Sequence, residues 1–190
     1  MLGCIRVARP DDAAAVAAIY GPVVRDTAIS FEATPPGLEE MHERIERTLR
    51  EFPWLVFESE GDVLGYAYAG PFKSREAYRW SVELSVYVDR RAQRQGIGKA
   101  LMEFLLAVLE RQGHAKAYAG ITLPNPGSVG LFESLGFEPA GVFRDVGNKL
   151  GRWHDVGWWQ RCVADLPPDP TPPTPFAVLR NLEGATSRSG

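Results

Sequence analysis

The chain has 190 residues, 45% hydrophobic and 24% charged, with a formal net charge of -3. That length and composition describe one folded domain with enough apolar material for a real core. The mild acidity argues against nucleic acid as a partner, and no apolar run reaches the ~20 residues of a membrane span. Cys4 and Cys162 lie too far apart in sequence to read as a metal cluster or a disulfide scaffold, so both are expected as reduced thiols. A signal-peptide core is also missing, since "AAAVAAIY" is short and follows Asp11 and Asp12. These features predict a cytoplasmic protein that works without metal, membrane or nucleic acid.

In chain order, residues 4–8 predict a short strand. Pro10, Asp11 and Asp12 then mark a helix start, with acids placed to meet the helix dipole. Val16, Ile19, Tyr20 and Val23 give that helix an apolar stripe. "SFEATPPG" is a loop broken by Pro35, Pro36 and Gly37, and a second helix follows with Leu38, Met41, Ile45, Leu49 and Phe52 on one face. "WLVFES" and "VLGYAYAG" predict a hairpin with a tight turn at Gly61. "WSVELSVYVD" alternates: Val82, Leu84, Val86 and Val88 point one way, and Glu83, Ser85 and Tyr87 the other.

"QRQGIGKALMEFLLAVLERQG" opens the next helix, which is expected to bury Leu101, Leu105 and Val108. "AKAYAGIT" is a strand, "SVGLFESLGF" a short helix ending at Gly136, and "DVGWWQRCV" a last strand. Residues 1–165 thus form one domain. Six prolines between Pro167 and Pro175 predict a tail, residues 166–190, without regular structure, extended or mobile or laid across another surface. The order is strand, helix, helix, three strands, helix, strand, helix, two strands. Hairpins beside crossover helices make this an α/β (α+β) fold, a mixed central sheet of about seven strands with helices on both faces.

Gly96 and Gly98 sit where a helix should begin. A strand, a glycine-rich turn and a helix together form an anion site, because the first helical turn has free N–H donors and the dipole favours negative charge there. Arg91, Arg94 and Lys99 add cationic reach. The same spacing also fits a tight helix start with solvated basic residues.

Gln93-Arg94-Gln95-Gly96-Ile97-Gly98 resembles the Gln/Arg-x-x-Gly-x-Gly/Ala loop of the GNAT superfamily of N-acetyltransferases, which holds the pyrophosphate of acetyl-CoA. "SVYVD" resembles that family's fourth strand, which splays from the fifth to admit the pantetheine arm, and "NPGSVGLFESLGF" resembles its Asn…Gly-Phe segment. "YRWSVELSVYVD", "ITLPNPGSVGLFESLGF" and above all "GRWHDVGWWQR" look like the phosphinothricin acetyltransferase subfamily, whose members acetylate the α-amino group of phosphinothricin, methionine sulfoximine or related amino acids. The resemblance implies acetyl-CoA as co-substrate, bound along Val86, Tyr87 and Val88 and by Gln93, Arg94, Gln95, Gly96, Ile97, Gly98 and Lys99. It also places a catalytic glutamate at Glu83 and an oxyanion-binding N–H at Val88.

Glu83 has its own rationale, as an acid in an otherwise uncharged strand whose burial would make it a better base. A salt-bridged exposed Glu is the alternative. Asn125 is either a polar group near the pantetheine or a loop cap before Pro126. Ser128 is either a CoA contact or the cap of the helix it begins. Phe31 and Glu32 start a loop that covers the acceptor in the superfamily. Lys73, Arg75, Tyr78 and Arg79 form a basic-aromatic cluster suited to an amino-acid carboxylate or phosphinate, or else a solvated loop. Arg152, Trp153 and Asp155 are expected to complete the pocket, across the interface of a homodimer. One departure stands out: Phe132 occupies the position where the subfamily has His and many other GNAT enzymes have Tyr. His42 and His114 look exposed, and His154 looks structural. The alternatives to an amino-acid acetyltransferase are a transferase for another amine and an acyl-CoA-binding protein without catalysis, the latter supported by Phe132.

Overall fold

The structure, a computed structural model, describes residues 3–186. Its elements follow the expected order: β1 (Cys4–Val7), α1 (Ala13–Asp26), α2 (Leu38–Glu51), β2 (Trp54–Ser59), β3 (Asp62–Pro71), β4 (Ser81–Val88), α3 (Ile97–Gln112), β5 (Lys116–Leu123), α4 (Pro126–Ser134), β6 (Glu138–Lys149) and β7 (Arg152–Cys162), with an added α5 (Phe176–Thr186). Seven strands make one sheet in the order β1-β2-β3-β4-β5-β7-β6. Neighbours are antiparallel except β4 and β5, which run parallel with α3 as their crossover.

Alternation along β4 sends Val82 and Leu84 to one face. There they meet Leu55, Ala67 and the α3 stripe of Leu101, Met102, Leu105, Leu106 and Leu109 in one continuous core. Val108, expected in that stripe, lies half-buried at its margin, and Leu109 takes the central place one full turn beyond Leu105. The opposite face packs on α1 and α2 through Val16, Ile19, Tyr20, Val24, Met41 and Ile45, against Trp54, Val56 and Tyr66. Val24 is buried there in place of the expected Val23, which sits at the edge. The turn before α1 is locked by Asp12, whose carboxylate accepts the Arg9 N–H at 2.7 Å and the Arg6 guanidinium at 2.7 Å.

The tail departs from expectation. Its proline run carries no helix or strand but ends at Pro175, and the proline-free stretch after it forms α5, which packs on α2. Proline suits that junction, because its missing N–H is not needed in a first helical turn. Its carbonyl accepts the Val178 and Leu179 amides at 3.0 and 3.1 Å. Phe176 is only 4% exposed and fastens the helix to the domain. Phe176→Ala should therefore cost about 3 kcal/mol, as buried Phe truncations do, read as a lower denaturant midpoint for the whole domain.

Candidate active site

The pairing of β4 with β5 is short. Ser81, Val82 and Glu83 pair with Lys116, Ala117 and Tyr118, and beyond that the strands part. From there β5 stays paired with β7, and β4 stays paired with β3. The result is a wedge-shaped gap whose apex lies beside Glu83.

Backbone polarity makes this gap a binding surface. The Asp89 N–H donates to the Leu64 carbonyl of β3 at 2.9 Å, and the Ser81 carbonyl accepts the Phe72 N–H at 3.3 Å. The Trp80 carbonyl instead accepts the Ala115 and Lys116 amides on the β5 side. Amides alternate along a strand, so the N–H groups of Val86 and Val88 point into the gap, where β5 no longer answers them. On the same side, the Cβ atoms that Gly98 lacks would touch Val86 and Val88 side chains at 3.8 and 3.6 Å, so α3 begins flush against the gap.

Gly96 is the N-cap of α3 with φ +82°, a left-handed conformation that costs an ordinary residue roughly 1–2 kcal/mol. Ala100 N–H reaches the Gly96 carbonyl at 3.0 Å, which leaves the amides of Ile97, Gly98 and Lys99 facing forward with no side chain capping them. Arg94, also at positive φ (61°), lies exposed before them, and Gln93 Nε2 reaches the Val88 carbonyl at 3.5 Å. Gln95 folds back onto the Arg91 carbonyl, while Arg91 is paired with Asp89 at 3.0 Å. An uncapped helix start with a cation beside it suits a pyrophosphate. The residues present therefore fit the diphosphate of a coenzyme A ester.

Glu83 is half-buried on the face opposite Val82 and Leu84. Burial pushes its carboxyl above the usual carboxylate value, and the positive charge of Lys73 works against that rise. Around it stands an aromatic group that only the folded sheet assembles. Tyr118 is its cross-strand partner, Phe72 stacks on Tyr118 at 4.1 Å, and Trp158 meets Phe72 edge-on at 5.7 Å. Lys73 Nζ lies 4.8 Å from the Phe72 ring and 5.7 Å from that of Trp158. Trp158 fits because Gly120 stands beneath it: a Cβ there would approach the indole to 3.2 Å. Further along the face, Tyr68 bonds Ser85, and Tyr87 packs against Tyr66 at 5.3 Å and Tyr20 at 5.0 Å.

The other expected residues divide. Glu32 is held by Arg44 through bonds of 2.7 and 2.9 Å and accepts the Tyr20 hydroxyl at 2.8 Å. Those bonds keep its carboxyl below the ordinary value and pin its loop to α2. Phe31 lies against Gly147 of β6, and a Cβ there would overlap its ring. Arg75 and Tyr78 line a cavity with Lys73, while Arg79 pairs with Glu76 and stacks over Trp80. Trp153 is 63% exposed at the far end of β7, and Asp155 is taken up by Arg144 at 2.6 Å. Asn125 caps α4, its Oδ1 accepting the Ser128 N–H at 3.1 Å. Ser128 is thus the third residue of the helix rather than its cap.

His114 is corrected most sharply. It is 3% exposed, stacked on Phe52, and burial pushes its imidazole down to about 4. The αL cap at Gly113 turns it under the sheet edge, which its loop position concealed. His154 is buried as well, and its Nε2–H donates to the Lys149 carbonyl at 3.0 Å, closing the β6–β7 hairpin. Phe132 is 4% exposed and packs edge-on against Phe137 at 5.1 Å, inside the core that α3 covers. Among the described residues no cluster of three His, Cys, Asp or Glu is placed to hold a metal ion.

A parallel strand pair that opens into a wedge, with an uncapped glycine-started helix behind it, is an acyl-CoA transferase architecture. The family model for the acetyltransferase (GNAT) domain matches residues 5–158. The chain is 45% identical over 175 residues to a phosphinothricin N-acetyltransferase of Streptomyces viridochromogenes, spanning 92% of this chain and 95% of that one. It is 35% identical to an L-methionine sulfoximine/L-methionine sulfone acetyltransferase of Pseudomonas paraeruginosa, over 84% of this chain and 94% of that one. Its fold matches the crystal structure of a GNAT superfamily phosphinothricin acetyltransferase from Sinorhizobium meliloti in complex with acetyl-CoA, with a TM-score of 0.84, 34% identity and coverage of 93% and 99%. The chain therefore belongs to the GNAT acetyltransferase family, in its phosphinothricin acetyltransferase branch.

Since Phe132 serves the core, Phe132→His should lower stability by about 2 kcal/mol or more, the cost of burying a polar ring without a partner, and leave kcat no higher than wild type. Thermal melts and steady-state kinetics on the purified variant check both.

Proposed function

We propose that the protein transfers the acetyl group of acetyl-CoA directly to the α-amino group of phosphinothricin, methionine sulfoximine or a similar amino-acid analogue. The observation that carries this reading is Glu83: a half-buried carboxyl with raised proton affinity, at the apex of the β4–β5 gap and under the charge of Lys73. Acetyl-CoA supplies the activated acyl group, and the protein's own residues do the rest. The amides at the start of α3 and the Arg94 side chain hold the diphosphate, while Val86, Tyr87 and Val88 flank the pantetheine arm. Glu83 takes the proton from the incoming ammonium, directly or through water. The Val88 N–H faces the thioester oxygen as negative charge develops there. Asn125 and Ser128 bound the far side of the gap.

Lys73 and Arg75 are the groups suited to the acceptor carboxylate or phosphinate, with Tyr78 and Phe31 as walls. Glu32 and Arg79 act at one remove, by holding those loops. A cationic loop of this kind disfavours polyamine or aminoglycoside acceptors, which are themselves cations. The β6 edge supports a homodimer: Val142, Phe143 and Val146 are exposed along it, and Leu150 and Trp153 at its end. In such a dimer Trp153 would close the pocket of the neighbouring subunit. The two exposed, unpaired cysteines suit a reducing compartment, in keeping with the cytoplasm.

Glu83→Gln should lower kcat by about 100-fold or more while leaving the acetyl-CoA Kd unchanged. An unchanged kcat would show that Glu83 is not the base, and a wild-type protein that binds acetyl-CoA but turns over no amine would favour a binding protein without catalysis. The pH profile follows from the direction of the Glu83 shift. The base works only when ionised, so kcat/KM for the acceptor should fall as pH drops through a value above the ordinary carboxylate range, and Glu83→Gln should lack that limb. Gly96→Val forces a branched residue into φ +82°, and should weaken acetyl-CoA binding about tenfold or more by turning the first amides away from the diphosphate. Calorimetric titration of folded variant reads it.

A further inference from the structure

We infer that the C-terminal stretch Thr171–Phe176 is a brace that positions the acceptor loop, residues 72–80, with Trp80 and Gln112 as its two positioning residues. This rests on the reading above that Lys73 and Arg75 of that loop hold the acceptor.

The loop leaves the sheet after Pro71 and returns at Ser81, two residues before Glu83. Its returning end is gripped from three sides. The Trp80 carbonyl accepts the Ala115 and Lys116 amides at 2.9 and 3.1 Å. The buried His114 ring bonds the Arg79 carbonyl, and its depressed proton affinity keeps it a neutral donor at ordinary pH. The third grip comes from the tail: Trp80 Nε1 donates to the Thr171 carbonyl at 2.8 Å.

Three residues on, the tail is tied down again. Gln112 is 2% exposed, and its Nε2 donates to both the Thr174 carbonyl at 2.8 Å and the Glu51 carbonyl at 2.9 Å. The Thr174 N–H answers with a 2.7 Å bond to the Gln112 carbonyl. One side chain thus joins the end of α2, the end of α3 and the tail. Between these ties Pro172 and Pro173 limit the chain to few conformations, so the stretch is stiff and costs little entropy to order. Pro172–Pro175 form one wall of a cavity whose other wall is Lys73, Arg75, Tyr78 and Arg79. Lys73 is the member of that wall whose charge reaches Glu83, so the tail bears on the site through the placement of Lys73, without contacting the reacting groups.

The test compares Trp80→Phe and Gln112→Met in the full-length protein. Each keeps most of the side-chain volume and removes the donor. Each should raise the KM for phosphinothricin about threefold to tenfold, the range expected for one hydrogen bond. The kcat should stay within about twofold and the acetyl-CoA Kd should not move. Amide exchange over residues 73–79 should quicken while that of β4 does not. A lower Tm with unchanged KM and unchanged loop exchange would show a purely structural tie and overturn the brace. Arg75→Leu, assayed alongside, separates the two layers. If it leaves the acceptor KM unchanged, the acceptor-loop reading fails and the brace with it. If it raises KM while neither Trp80→Phe nor Gln112→Met does, the brace alone is wrong.

Discussion

The site depends on how little β4 and β5 pair. Three residue pairs join them at one end, and from there each strand is held by its other neighbour. A fully zipped parallel pair would bury the Val86 and Val88 amides in a ladder. Here those groups lose their natural partners, and a buried N–H without a partner costs more than a made bond contributes. The fold tolerates this only because the gap is open to solvent or to a ligand that brings its own acceptors. The same opening sets Glu83 at the last paired position, enclosed enough to raise its proton affinity yet next to free space.

The start of α3 follows the same logic. A side-chain cap would satisfy its first amides, and Ser or Asp in place of Gly96 would supply one. Gly96 instead turns the chain at φ +82° and leaves the amides forward. Asn125 at the start of α4 shows the opposite choice, since its side chain closes its own helix. Two helices border the gap, and the one that follows β4 is the one left uncapped. That asymmetry is the reason the proposed mechanism puts the diphosphate at α3.

Much of this was legible in the sequence because it is local. The alternation of Val82, Glu83 and Leu84 assigns faces within one strand, and Gly96 and Gly98 mark a helix start within one turn. What could not be read depends on distant segments meeting. Phe72, Tyr118 and Trp158 converge on Glu83 from three parts of the chain, and their only linear sign is Gly120, whose missing side chain makes room for the indole. His114 looked exposed because it follows a helix in a short loop, yet the turn at Gly113 folds it inward against Phe52. The proline run hid α5 because breakers speak only for their own positions, and they stop at Pro175.

Phe132 completes the account of what the site asks of its residues. Its ring belongs to the core with Phe137, Leu135 and Trp159, so position 132 has no polar group to offer a leaving sulfur. A thiol has a pKa of about 8.5, far below that of an alcohol or an amine, so a thiolate departs without an acid at modest cost. The harder proton is the one on the ammonium, which must be lost before nitrogen can attack. On the proposed mechanism a single well-placed base is therefore the irreducible requirement. Burial that raises Glu83 narrows the gap in proton affinity between it and the amine, while the charge of Lys73 works against that rise. The two influences oppose each other on one group, so on the proposed mechanism their balance, rather than a second catalytic side chain, tunes the base.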